Sequence, residues 1–168
     1  MIAAFAEGLL NPLFIPAHAM ALIALGLLIG QQARRHMPLA AFVVGLAAGS
    51  IAVAAAFASI YSGEAVFAVT AMAGLLVATA MPLPTAIILV VAAATGLAVA
   101  FDSAPEVFSV RMAIAMQLGT FVAASVYLAA VAAIAGALTQ SWQRVGMRIV
   151  GSWFAASAIL VLALQMSR

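Results

Sequence analysis

Lysine and cysteine are both absent from this 168-residue chain, and charged residues make up only 6% of it. Without lysine no Schiff base can form on a side-chain amine, which excludes retinal proteins and lysine-dependent enzymes. Without cysteine there are no disulfides, thiolate metal sites or thiol redox reactions. The six basic residues are all arginine, and the acids number four. So few charges cannot cover the surface of a soluble domain of this length.

Apolar residues dominate the composition: 68% of the chain is hydrophobic, and the mean hydropathy is +1.31. Long apolar runs alternate with short polar breaks, and each run can cross the ~30 Å of hydrocarbon in a bilayer. This pattern predicts an all-α, polytopic transmembrane helix bundle with six spans. The predicted spans cover residues 9–32 (or 16–32), 38–59, 65–81, 85–101, 112–138 and 146–165. Connections this short predict a single integral membrane domain over residues 1–168.

The charged residues fall on two sides of the predicted bundle. One side carries Arg34, Arg35, Arg144 and Arg148, of which the last two bracket the connection before the final span; the other carries Glu7, Glu64, Asp102 and Glu106. By the positive-inside rule the arginine side is cytoplasmic, so both termini are expected outside a bacterial inner membrane, with Arg111 and Arg168 as the minority of arginines on that side. Trp142 fits an interfacial anchor on the arginine side. The arginines form no basic face, so no nucleic acid partner is expected. The first residues lack a basic stretch and do not resemble a secretory signal.

Small residues recur at helical spacing in two spans. Gly26 and Gly30 share one helix face, and so do Gly45 and Gly49. Glycines four residues apart let another backbone approach closely. This spacing favours helix packing within one chain, and the alternative is an interface with a second copy or with a larger membrane complex. In the fifth span Gln117, Thr120 and Ser125 form a mildly polar face, for which interhelical hydrogen bonds are expected.

The first apolar segment contains an imidazole and two prolines where leucines are usual. Pro12 and Pro16 are expected to break the helix, because a proline nitrogen cannot donate to the carbonyl four residues earlier. A polar side chain in a span is costly and marks a candidate functional site. His18 is therefore either a metal ligand or polar gate at the outer mouth of the bundle, or a buried histidine bonded to a neighbouring helix.

The same segment resembles the signature of the HupE/UreJ family of hydrogenase and urease accessory membrane proteins. In that family a His-Pro pair is followed, after four residues, by Asp-His and then by an alanine-rich helix that reaches Gly-Leu. Asn11-Pro12, Ala17-His18 and Gly26-Leu27 take these positions without a gap. The resemblance implies a nickel or cobalt permease, or a metal-supply factor for a metalloenzyme.

The ligand set that the resemblance implies is incomplete in this chain. Asn11 takes the place of the family's first histidine and Ala17 that of its aspartate, which leaves His18. The histidine-rich patch expected after the fourth span is here residues 101–106, without histidine, and the histidine expected in the fifth span falls near Tyr127. Divalent ions of this kind are normally held by sets of imidazoles and carboxylates.

Oxygen ligands offer a second way to complete a site. Asp102 and Glu106 are predicted on the same outer side as His18 and Asn11, so these four residues form a candidate transient site for nickel or cobalt. The alternative is that both acids are surface charges in a loop. No arrangement of serine, histidine and acid suits catalysis, and no enzyme is expected. Two functions stay open: a permease with an altered ion site, and a non-transporting accessory or structural subunit of a membrane complex.

Overall fold

A computed structural model describes residues 1–32, 34–55, 62–81, 83–104 and 109–167. All regular secondary structure in these residues is helical, and no strand occurs among them. The helices are α1 (Ile2–Phe14), α2 (Pro16–Gly30), α3 (His36–Ala54), α4 (Ser62–Thr79), α5 (Thr85–Asp102), α6 (Val110–Ala137) and α7 (Ser141–Met166). The all-α membrane class predicted from the sequence is confirmed.

By length and composition fewer helices qualify as membrane spans than the six predicted from the sequence, so that number is not confirmed. Among the described residues four helices qualify as candidate spans: α3, α5, α6 and α7. The bent pair of α1 and α2 adds a fifth if it counts as one span, whereas the apolar part of α4, Gly63–Thr79, is shorter than the other candidate spans. The structure therefore supports four to five candidate spans. The end of the predicted second span, residues 56–59, lies outside the described residues.

The first apolar segment is divided into two helices. The axes of α1 and α2 are bent by 67° at Ile15, whose backbone is extended, with φ −89° and ψ 109°. Ile15 precedes Pro16, and the proline ring disfavours helical geometry in the residue before it. Pro16 is then the first residue of α2, where a missing N–H costs nothing. The break expected at Pro12 does not occur: Pro12 is buried inside α1, and the Gly8 carbonyl that its missing N–H leaves free accepts a hydrogen bond from Thr120 of α6.

The last helix begins earlier than its hydropathy predicts. α7 starts at Ser141 rather than at Gly146, because Gln140 and Gln143 form a reciprocal capping box at its N-terminus. Arg144 and Arg148 consequently lie in the first turns of α7, whereas the sequence pattern placed them around the connection. A prediction based on apolar runs does not detect polar residues at the start of a helix.

Glycines bring the helices into backbone contact. A Cβ added to Gly45 of α3 would lie 2.1 Å from the Ala93 carbonyl oxygen of α5, and one added to Gly8 of α1 would lie 2.0 Å from that of Met116 in α6. Gly74 and Gly151 make the same kind of contact between α4 and α7. The other glycines singled out from the sequence also pack within the chain: Gly26 and Gly30 against α6, and Gly49 against α5.

The centre of the bundle is α2. From Leu25 to Gly30 every residue of α2 is buried, which suits a helix that is apolar on all sides. α7 lies at the periphery, with only 17% of its most apolar window buried and with Trp153 and Leu160 exposed. Large apolar side chains on the outside of the bundle are what a lipid environment requires.

The bundle has two ends with different chemistry. α2 and α6 run in parallel, with Gly26 beside Val131 and Gly30 beside Ala135. The His18 end contains the N-termini of α2, α4 and α6 and the C-terminus of α5. The opposite end, here called the arginine end, contains the C-termini of α2, α4 and α6 and the N-terminus of α7.

Candidate functional site

The candidate site is a hydrogen-bonded pair of side chains from two helices that are far apart in sequence. His18 lies in the first turn of α2 and is completely buried, and Asp102 is the last residue of α5 and is 20% exposed. His18 Nε2 lies 2.7 Å from Asp102 Oδ2. The structure thus brings together two of the candidate ligands across 84 residues of sequence.

The hydrogen bond determines how the imidazole is presented. An ionised carboxylate only accepts hydrogen bonds, so Nε2 is the donor in this pair. In the neutral ring the other nitrogen, Nδ1, then carries a lone pair. Among the described residues His18 Nδ1 is buried and has no hydrogen-bond partner. His18 therefore has one nitrogen held in place by Asp102 and one available as a ligand.

Small apolar residues and a helix terminus surround the pair. Ala21, Val66 and Ala98 form a buried cluster of α2, α4 and α5, against which Ala17 packs. Gly63 in the first turn of α4 is close to the carboxylate, since a Cβ added there would lie 3.6 Å from Asp102 Oδ1. The partial positive charge at the N-terminus of α4 stabilises a carboxylate in this position. Asp102 is thus placed by packing and by electrostatics.

The other residues predicted for this site have different positions. Asn11 lies on α1, beyond the bend, and in the described part of the chain its side chain makes no hydrogen bond with His18 or Asp102. Glu106 lies outside the described residues. In the ranges that the structure covers, no three or more histidine, cysteine, aspartate or glutamate side chains lie close enough together to hold a metal ion. The described site is therefore a histidine with one carboxylate.

Two of the three residues on the polar face of α6 form the interhelical hydrogen bonds expected from the sequence. Gln117 donates to Ser50 Oγ of α3 at 3.1 Å, and Thr120 donates to the Gly8 carbonyl of α1 at 3.2 Å. Ser125 Oγ is buried and has no partner in the described structure. Ser50 could not be recognised from the sequence as the partner of Gln117, because a serine in an apolar helix usually bonds its own backbone. Ser50 does that as well, donating to the Leu46 carbonyl.

Comparison with known proteins adds one finding to this geometry. No curated protein and no solved structure matches the chain. The family model described as HupE / UreJ protein matches residues 2–161 of the 168 residues. The match covers all seven helices except the end of α7 and includes both His18 and Asp102. The chain therefore belongs to the HupE/UreJ family of membrane proteins.

Proposed function

We propose that this protein binds nickel or cobalt at the His18 end and passes the ion across or into the membrane as part of metal supply to a metalloenzyme. The observation that carries the proposal is the state of His18: completely buried, held at Nε2 by Asp102, and without a partner at Nδ1. Family membership and the apolar helices fit a membrane accessory or metal-supply protein.

The arrangement of the pair suits a metal ligand with an orienting carboxylate. Histidines that bind metals almost always donate their other ring N–H to a carboxylate, carbonyl or water, which fixes the ring and raises its basicity. Asp102 takes this role for His18, and Nδ1 binds the ion. Imidazole suits nickel and related divalent ions. Asn11 and Glu106 stay candidates for additional oxygen ligands. One imidazole with a few oxygens gives weak binding, which is what a transported ion requires.

A six-span topology follows if α4 crosses the membrane as well. Gly63 near its start is beside Asp102, and the Ala78 carbonyl near its end accepts a hydrogen bond from Arg148. α4 therefore connects the His18 end with the arginine end, and its 18 residues span ~27 Å, close to the hydrocarbon thickness. With the arginine end in the cytoplasm of a bacterium, the proposed site faces the periplasm.

The two histidines of the chain provide the test. His18→Gln removes the proposed ligand, and His36→Gln changes an exposed histidine at the arginine end. Purified protein is dialysed against nickel, and nickel uptake is measured after reconstitution into liposomes. The expected result is binding of about one nickel per chain in the wild type and in His36→Gln, with binding and uptake lost in His18→Gln.

Other outcomes decide against transport. If the wild type binds no nickel or cobalt and uptake is the same in both variants, the proposal is wrong. Co-purification with a defined partner protein in mild detergent would then support the alternative, a non-transporting subunit of a larger membrane complex. The exposed face of α7 offers a surface for such a partner.

A further inference from the structure

A cavity of about 480 Å³ opens at the arginine end, between the C-termini of α2 and α6 and the start of α7. Its polar wall consists of Gln31, Gln32, Arg35, Thr139 and Arg144. Met81, Leu138 and Met147 form an apolar part of the wall. The cavity therefore combines two guanidinium groups with neutral hydrogen-bonding side chains and an apolar surface.

Arg35 is held in this cavity by backbone carbonyls. Its Nε donates to the Gln32 carbonyl at 3.4 Å, and an Nη donates to the Gly136 carbonyl at 3.0 Å. The guanidinium lies directly over Gly136, where an added Cβ would be 1.9 Å from its central carbon. A guanidinium has five N–H donors, so about three are left for another acceptor. Arg35 is thus fixed in position but not saturated.

Arg144 adds a second guanidinium to the same cavity. It lies in the first turn of α7 and is exposed, and its side chain makes no hydrogen bond or ion pair within the described ranges. Gln31 and Thr139 are on the same wall. Two guanidinium groups that converge on one space favour an anion with several oxygens, because the planar fork of N–H donors matches a phosphate or a carboxylate.

The segments of the chain that form the arginine end contain no acidic residue. The stretches 31–40, 79–84 and 138–148 contain four arginines and neither aspartate nor glutamate. In the described structure no carboxylate lies within ion-pair distance of an arginine, and Asp102 contacts His18 at the other end. The partial negative charges at the C-termini of α2 and α6 offset only about one unit of positive charge. The cavity therefore carries uncompensated positive charge, which favours binding of an anion from outside the chain.

We propose that this cavity binds the phosphate group of an anionic phospholipid. Basic pockets between transmembrane helices at a membrane surface bind such headgroups. Trp142 lies two residues before Arg144 in the sequence, and its indole is exposed. Tryptophan is enriched at the level of the lipid headgroups. Arg35 and Arg144 bind the phosphate oxygens, and Met81 and Leu138 contact the glycerol and the first methylenes of the acyl chains. This site is independent of the proposed nickel site, which lies at the other end.

Lipid binding is measured by native mass spectrometry of the full chain, titrated with phosphatidylglycerol, phosphatidylcholine or inorganic phosphate. Arg144→Gln should weaken phosphatidylglycerol binding about fivefold, which corresponds to about 1 kcal/mol. Arg148→Gln is the matched control, because it removes the same charge at the same end from a residue that donates to the Ala78 carbonyl and does not line the cavity. Its affinity for phosphatidylglycerol should equal that of the wild type.

A second variant keeps the charge and changes only the geometry. Gly136→Ala displaces the Arg35 guanidinium and should also weaken phosphatidylglycerol binding, since alanine is otherwise favourable in a helix. Equal losses in Arg144→Gln and Arg148→Gln would show diffuse attraction and overturn the proposal. Equal binding of phosphatidylcholine, or displacement of the lipid by millimolar inorganic phosphate, would overturn it as well, the latter by identifying a soluble anion as the ligand.

Discussion

Replacing Asp102 with asparagine tests whether this carboxylate orients His18 or binds the metal itself. The change keeps the size of the side chain and removes its charge. An asparagine can still accept the hydrogen bond from His18 Nε2 through its amide oxygen. The variant therefore weakens the support of the imidazole without leaving its buried N–H unpaired.

The size of the effect follows from the hydrogen bond of 2.7 Å between the ring and the carboxylate. Hydrogen bonds to charged groups contribute roughly 1.5–3 kcal/mol, against roughly 0.5–1.5 kcal/mol for neutral pairs. The midpoints of these ranges differ by about 1.25 kcal/mol, which is close to tenfold in affinity. Changing the orienting partner of a metal ligand typically lowers metal affinity by roughly 10- to 100-fold, and this value lies at the lower end of that range.

Nickel binding to Asp102→Asn is measured by equilibrium dialysis beside the wild type and His18→Gln. Glu64→Gln is the matched control, since Glu64 is an acid in the first turn of α4 at the same end of the bundle. We expect the dissociation constant of Asp102→Asn to rise about tenfold and that of Glu64→Gln to stay the same. Thermal unfolding in detergent checks that all variants are folded.

Two results would refute the assigned role of Asp102. An affinity within about twofold of the wild type would mean that the carboxylate does not support the ligand, because the loss of a charge-assisted bond has a measurable cost. A loss as complete as that of His18→Gln would mean that Asp102 binds the ion directly.

Two further predictions concern the packing of the helices. Gly45→Ala places a Cβ 2.1 Å from the Ala93 carbonyl oxygen and should destabilise the protein by about 1–3 kcal/mol, measured as a lower unfolding temperature in detergent. Gly146→Ala, which has open space around the added Cβ, is its control and should be neutral or stabilising; equal losses would contradict the close contact. Thr120→Val removes the hydrogen bond to the Gly8 carbonyl and should lower the free energy of unfolding by about 1 kcal/mol. An unchanged unfolding temperature would show that this bond does not hold α1 on α6.

The candidate site was only partly predictable from the sequence. A histidine within an apolar segment is a visible signal, because a polar group in hydrocarbon is costly. Asp102 was placed on the same side of the membrane by counting spans, but its contact with His18 depends on how α2, α4 and α5 pack. A sequence does not show whether an acid at the end of a span faces water or a neighbouring helix.

The hydropathy pattern also did not predict where the helices begin and end. The start of α7 at Ser141 depends on a capping box of two glutamines. Because these residues are polar, their composition alone indicates a connection between spans. The bend at Ile15 was indicated by the prolines on either side of it, but its angle of 67° depends on the packing of α1 against α6 through Gly8 and Gly119.

The sequence by itself determined the membrane class, the helical structure and the segregation of four of the six arginines from the acids, because the transfer of side chains into hydrocarbon depends on local composition. The tertiary structure decided which distant residues meet. His18 pairs with Asp102 across 84 residues, and Arg35 reaches Gly136 across 101. Such contacts depend on the rotation and depth of each helix, which are set by backbone approach at glycines and not by the apolar runs themselves.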